Sequence, residues 1–156
     1  MFDFFKKESF LSPMSGMIFD LSEVNDETFS SRSMGDGFAI KIDGSEVVSP
    51  VNGTVLACFP TGHACAIKGD SGIEFIMHIG IDTVLLKGKG FKLHVEAGQK
   101  VKAGDAIVTV DIGVIKSYNK DLISPIIFTS GEKIQILKIH KHVSIMEKSI
   151  IKIKHS

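Results

Sequence analysis

Two histidines bracket the segment GHACAIKGDSGIEFIMHIG, residues 62–80, with His63 near its start and His78 near its end. Imidazole changes charge near neutral pH, and its neutral form serves as nucleophile, hydrogen-bond partner or metal ligand. The runs ACAIKG and IEFIMHI on either side of GDSG read as antiparallel strands joined by a tight turn. The expected register pairs Gly69 with Gly72 across Asp70-Ser71, or Lys68 with Ile73 around four loop residues. Either choice sets His63 directly opposite His78, with Cβ atoms roughly 4.5 to 5.5 Å apart, and Cys65 opposite Ile76. The other face then collects Ala64, Ala66, Ile73, Phe75, Met77 and Ile79 as a core face.

Paired imidazoles suit a metal or an anion. A metal site needs a third ligand. Asp82 supplies an H-x-x-x-D spacing with His78, and HKH at 140–142 supplies H-x-H. Together these are superficially similar to zinc peptidases of the lysostaphin type, although LKIHKHVSI reads as a strand running into a turn. The anion reading leads to phosphoryl transfer. A neutral imidazole nitrogen attacks phosphorus well when its other nitrogen is held by a hydrogen bond, and a second imidazole can donate to the phosphoryl oxygens. No Walker-type loop is present, which fits a donor and acceptor that are themselves proteins. A regulatory binding module without turnover is the alternative outside enzymes.

The elements that must position these side chains are strands. Short runs rich in Ile, Val and Phe recur between Gly, Ser-Pro and Asp-Gly punctuation: MIFDL, FAIKI, TVLACF, ACAIKG, IEFIMHI, DAIVTVD, IIFTS, IQILKI and IIKIK. Only GVIKSYNKDLI, residues 113–123, has a helical pattern. With 156 residues and 44% hydrophobic content, the chain suits one globular domain with a substantial core. The expected division is a flexible tail over 1–11 and a single domain over 12–156. Eighteen basic and 18 acidic residues cancel, so no global field attracts nucleic acid or anionic lipid, and a charged partner must meet a local patch. MFDFFKKESFL is too short and too charged for a secretory signal, and no run approaches ~18 apolar residues. A cytoplasmic monomer without obligate membrane contact is expected, although Phe2, Phe5 and Phe10 share a helical face that could touch an interface. Cys58 and Cys65 are flanked by apolar residues and read as buried free thiols.

An internal echo sharpens the fold. SPMSGMI at 12–18 and SPVNGTV at 49–55 share S-P-x-x-G, with SPIIF at 124–128 as a weaker third copy. Such repeats suit a pseudo-symmetric sandwich or barrel as well as ordinary strand-entry turns. VEAGQKVKAGDAIVTVD, 95–111, also resembles the hairpin of biotinyl and lipoyl carrier domains, without their modifiable lysine motif.

PTGHACAIKGDSGIEFIMHIGIDTVLLKGKGF, 60–91, resembles the signature region of the glucose-class enzyme IIA (EIIA) of the bacterial phosphoenolpyruvate:sugar phosphotransferase system. SPMSGMI, MGDGFAI, SPVNGTV, GQKVKAGD and SPIIFTS resemble that family's other recurring blocks. The resemblance implies an all-β, antiparallel sandwich or barrel of the duplicated hybrid motif type, with little helix. It also implies a carrier that takes a phosphoryl group from the histidine protein HPr and passes it to a cysteine of a sugar-specific IIB domain of a IIB/IIC permease. Regulatory protein targets are known in some relatives. By position, His78 matches the phosphorylated histidine, His63 the histidine that supports the phosphoryl group, and Thr61 the threonine bonded to that histidine. Asp82, Val84, Asp26 and Phe29 match rim residues for docking, and Phe59 and Ile76 complete an apolar collar. No cofactor is implied as required, although His63 and His78 could take zinc adventitiously or at an interface. Cys65 stands where the family usually has Phe.

Overall fold

The first two S-P-x-x-G copies build the same local structure. In the computed structural model, which describes residues 9–155, Ser12 Oγ donates to the Met14 carbonyl at 2.7 Å, and Ser49 Oγ donates to the Val51 carbonyl at 2.6 Å. Each serine also exchanges two backbone hydrogen bonds with a later turn: Ser12 with Met146 and Glu147, Ser49 with Gly104 and Asp105. The closing glycines pair alike, Gly16 with Val143 and Gly53 with Val101. A Cβ on either would lie about 2 Å from a carbonyl oxygen of the adjoining strand, 2.1 Å for Gly16 and 2.2 Å for Gly53. The glycines therefore permit close approach of the chains. Ser124 differs, because its hydroxyl donates to the Leu122 carbonyl inside a central strand. The third copy shares letters but not the turn.

Thirteen strands are present among the described residues: β1 Gly16–Phe19, β2 Asp36–Ile42, β3 Glu46–Val48, β4 Gly53–Cys58, β5 Ala64–Gly69, β6 Glu74–His78, β7 Phe91–Leu93, β8 Lys100–Val101, β9 Ala106–Val110, β10 Ile123–Phe128, β11 Lys133–Ile136, β12 His142–Val143 and β13 Ile151–Lys154. Every ladder is antiparallel. The main sheet runs β12-β1-β2-β10-β6-β5-β4-β8, with smaller sheets β3-β9-β7 and β11-β13. All nine expected strands appear. The four that were not expected, β3, β7, β8 and β12, span two or three residues each, too few to show alternation.

The main core is built mostly of Ile and Val around four phenylalanines. Phe10, Phe38, Phe75 and Phe128 pack with centroids 5.3 to 6.1 Å apart, in the range of favourable edge and tilted contacts. Burying each ring stabilises the fold by roughly 1.5–3 kcal/mol. Phe10 is only 6% exposed, and the Leu11 N–H donates to the Pro50 carbonyl, so residues 10 and 11 of the expected tail are held by the domain. Phe10 cannot share an interfacial face while it fills the core; Phe2 and Phe5 lie outside the described residues. The expected helix is also shorter. Helix α2 spans Ile112–Ser117, capped by Asp111 through the Val114 N–H, and ends before Asn119 turns left-handed at φ 59°. Residues from Ile123 onward are β10.

The β5–β6 register differs from the expected one by a single residue. Ala64 lies opposite His78, Cys65 opposite Met77, and Ala66 opposite Ile76. The turn holds three residues, not two or four. The Gly72 N–H donates to the Gly69 carbonyl, the Gly69 N–H donates to the Ile73 carbonyl, and Gly72 takes φ 106°. A glycine at the third loop position admits this three-residue hairpin. A one-residue slip exchanges the faces of a strand, so on β5 Cys65 and Ile67 enter the core in place of Ala64 and Ala66.

Candidate functional site

On β6 the alternation is regular: Phe75 and Met77 are buried in the core, while Ile76 and His78 are partly exposed on the outer face. Immediately after the strand the chain turns at Gly80, φ 74°. A Cβ there would sit 2.6 Å from Thr83 Cγ2 and 2.8 Å from the Asp121 carbonyl oxygen, so glycine is required. The turn is fastened by Gly80 N–H to Ser124 Oγ (3.1 Å), by Ile81 N–H to the Asp121 carbonyl (3.0 Å), and by the Thr83 hydroxyl to the Ile79 carbonyl. So held, the Gly80 carbonyl oxygen lies 2.8 Å from His78 Nδ1. A carbonyl only accepts, so Nδ1 carries the proton and Nε2 presents its lone pair.

His63 arrives from a different kind of turn. Phe59-Pro60-Thr61-Gly62 closes with the Gly62 N–H donating to the Phe59 carbonyl at 2.8 Å, Pro holding the second position and Gly the last. Gly62 has φ 82°, and a Cβ there would press on Phe91 Cβ at 3.1 Å. The Ile79 N–H donates to the His63 carbonyl at 2.7 Å, which ties this loop to the end of β6. Thr61 Oγ1 lies 2.8 Å from His63 Nδ1, and the Phe59 ring stacks on the imidazole at 4.8 Å and 20°. The two imidazoles meet edge to face, centroids 5.3 Å apart at 75°. The histidines come together as the sequence suggests, but His63 reaches His78 from the loop before β5, not from a directly opposed strand position.

Burial lowers both imidazole pKa values. For His63 the charge of His78 adds to this; for His78 the Gly80 hydrogen bond and the carboxylates of Asp26 and Asp82 work against it. Both rings are therefore neutral at pH 7. The site holds one nitrogen nucleophile with a fixed tautomer beside a second neutral imidazole under an apolar wall.

The family model for the phosphoenolpyruvate-dependent sugar phosphotransferase system, EIIA 1, matches residues 8–134. The chain belongs to this family. The glucose permease IIA from Mycoplasma capricolum is similar in structure, with TM-score 0.85 and 42% identity over 97% of this chain and 99% of that one. This EIIA is thus a phosphoryl-carrier component of sugar transport and phosphorylation. The hydrolase and turnover-free alternatives find no support. His140 and His142 bond to Glu23 and Asp43, and among the described residues no three His, Cys, Asp or Glu side chains gather as a metal site. No helix among those residues is long and apolar enough to cross a membrane.

The remaining expected positions of this EIIA fall in three places. Asp82, exposed, takes φ 59° before the 3-10 turn Thr83–Leu86 and does not cap it, leaving its carboxylate turned outward. Val84 follows, 51% exposed. Phe59, 57% exposed, and Ile76 line an apolar hollow of about 220 Å³ with Ala57, Ala64 and Ala66. Asp26 caps the helix α1, Glu27–Ser30, through the Thr28 N–H. Phe29 is buried, 6% exposed, with its ring 5.1 Å from His78; it is a wall of the site, not a rim residue. The sequence reading missed Leu85, 64% exposed beside Val84. Its signal was VL, two consecutive apolar turn residues that stay exposed between the buried Thr83 and Leu86. Gly80 was missed as well.

Proposed function

We propose that His78 Nε2 is the atom that carries the phosphoryl group. The observation behind this is the Nδ1 contact to the Gly80 carbonyl, 2.8 Å, which leaves Nε2 as the free nucleophile beside His63. In the forward step the Nε2 lone pair attacks phosphorus of phosphorylated HPr. The bond from phosphorus to the donor's nitrogen breaks as the new N–P bond forms. A cysteine thiolate of a sugar-specific IIB domain then attacks the same phosphorus, and His78 leaves with its lone pair.

His63 takes the complementary tautomer. To donate to a phosphoryl oxygen through Nε2–H, its Nδ1 must accept, and the Thr61 hydroxyl can supply that proton. Neutral donors in a site walled from water stabilise the charge spread over the phosphoryl oxygens without reorganising. Phe29 and Phe59 restrict water, which favours transfer over hydrolysis. Phe59, Ile76 and Val84 form the apolar docking collar, with Asp82 and Asp26 supplying negative charge for a basic partner. The protein works as a soluble cytoplasmic monomer and needs no bound metal.

The test is phosphotransfer from phosphoenolpyruvate through enzyme I and HPr, followed by mass spectrometry. One acid-labile, base-stable phosphoryl group should appear, His78→Ala should abolish it, and a chelator should change nothing. Persistent labelling of His78→Ala would overturn the assignment.

A further inference from the structure

The bulge in β4 creates a second reactive pair. Without it the ladder that joins Val55 to Ile67 would bring Cys58 opposite Ala64; the register shift between Val55 and Ala57 brings it opposite Cys65. The Phe59 N–H donates to the Ala64 carbonyl at 3.0 Å, so the next pair inward, Cys58 and Cys65, occupies a non-hydrogen-bonded position. There opposed Cα atoms approach to about 4.5 Å, within the span of a disulfide. Both thiols are free, Cys65 buried and Cys58 partly exposed against the core. The two side chains are hydrogen-bonded to each other, which lowers the pKa of Cys58 and raises that of Cys65. Cys58 is thus the more readily deprotonated of the two, with Cys65 the hydrogen-bond donor to it.

We propose that Cys58 and Cys65 form a peroxide-sensitive dithiol whose closure to a cross-strand disulfide slows phosphoryl transfer at the adjoining histidine pair. The Cys58 thiolate attacks one oxygen of hydrogen peroxide and hydroxide leaves, taking up a proton as water. Cys65 sulfur then attacks the Cys58 sulfenic acid, and its proton departs with the hydroxyl as a second water. Two thiols and one peroxide become one disulfide and two waters. The bridge closes a ring around Phe59-Pro60-Thr61-Gly62-His63-Ala64. That ring contains the residue stacked on His63 and the residue bonded to its Nδ1. A docking partner that must shift Phe59 meets a stiffer loop.

The effect on transfer rests on the phosphocarrier reading; the bridge does not. Treating the purified protein with hydrogen peroxide should remove two hydrogens by mass and both titratable thiols, and dithiothreitol should restore them. Transfer to IIB should fall about tenfold in the oxidised form, the scale expected for slight misplacement of a supporting group. Cys58→Ser should fold, retain transfer and become indifferent to peroxide; Cys65→Ala provides the same comparison from the buried side. Cys58 oxidised to sulfinic acid with Cys65 still alkylatable, or a bridged protein that transfers at the reduced form's rate, would overturn the proposal. Failure of the phosphocarrier reading would appear differently, as no transfer in the reduced protein.

Discussion

Both histidines have Nδ1 held at 2.8 Å, but one partner is a backbone carbonyl and the other a side-chain hydroxyl. The Gly80 oxygen can only accept, so His78 is confined to a single neutral tautomer. The Thr61 hydroxyl can donate or accept, so His63 can adjust its proton to what faces it. A nucleophile benefits from the first arrangement, since its attacking lone pair never moves. A group that must serve bare and phosphorylated partners in turn benefits from the second.

The largest expected effect tests whether the two rings are interchangeable. His63→Gln should still allow His78 to accept phosphate from HPr, because an amide can donate to the phosphoryl group. Transfer onward to IIB should fall about 10²-fold, the usual scale for losing one charge-stabilising donor. Ordinary rates of sugar phosphorylation by this variant would make His63 a packing residue and end the comparison.

The two holders can be removed separately. Gly80→Ala places a methyl against Thr83 and the Asp121 carbonyl in a left-handed backbone and should cost about 1–3 kcal/mol of stability, measured by urea denaturation. It should also release the His78 tautomer, visible in imidazole nitrogen chemical shifts. Thr61→Val keeps the shape but leaves His63 Nδ1 without a donor in a buried place, a loss of about 1–3 kcal/mol. Its nitrogen shifts should change for His63 and not for His78; equal changes in both rings would show that the holders are not independent.

A smaller effect concerns pH. Both imidazoles titrate below the ordinary histidine value because burial disfavours their charged forms. The unfolded chain therefore binds more protons than the folded one just below pH ~6.5. Stability contributed by the neutral pair is fully present above that value and declines as pH falls toward the folded pKa values. Phosphate acceptance should stay flat from pH 8 through about 6.5 and decline only below. A rate that already drops by half near pH ~6.5, the ordinary histidine value, would place a solvated imidazole at position 78. The smallest effect lies outside the pair. Asp82→Lys should slow transfer from HPr at low salt by no more than the ~1 kcal/mol typical of exposed charges, and hardly at physiological salt. A salt-independent loss would mean that Asp82 acts on His78 directly.

Much of this arrangement was legible in the chain. Alternating apolar runs located the long strands, and paired serines and glycines located the duplication. The nearness of His63 and His78 was expected from two strands and a short turn, although the register that gave it is one residue off and His63 lies before β5. What stayed hidden depended on single-residue geometry. GDSG is compatible with two-, three- and four-residue hairpins, and only Gly72 in a positive-φ conformation decides among them. The bulge after Val55 leaves no mark in TVLACF, although it determines what Cys58 faces. Phe29 reads as a surface residue in NDETFSSR because the residues that cover it, among them Leu21, Ile81, Ile127 and the His78 ring, meet only in the fold. Gly80 looks like any turn glycine until its carbonyl is seen to aim at His78.

The twin clasps around Ser12 and Ser49 also bear on the order in which the chain assembles. Ser49 closes on Asp105, while Ser12 closes on Glu147, more than twice as far along the sequence. The extra loop-closure entropy is small, under about 1 kcal/mol for little more than one doubling of length. Its effect is on timing, since long-range pairings form late and slow the overall rate. During synthesis the inner clasp can shut, and β5 and β6 can pair to bring the two histidines together, while residues 140–147 are still unmade. Until those residues appear, β1 has no partner on its outer edge.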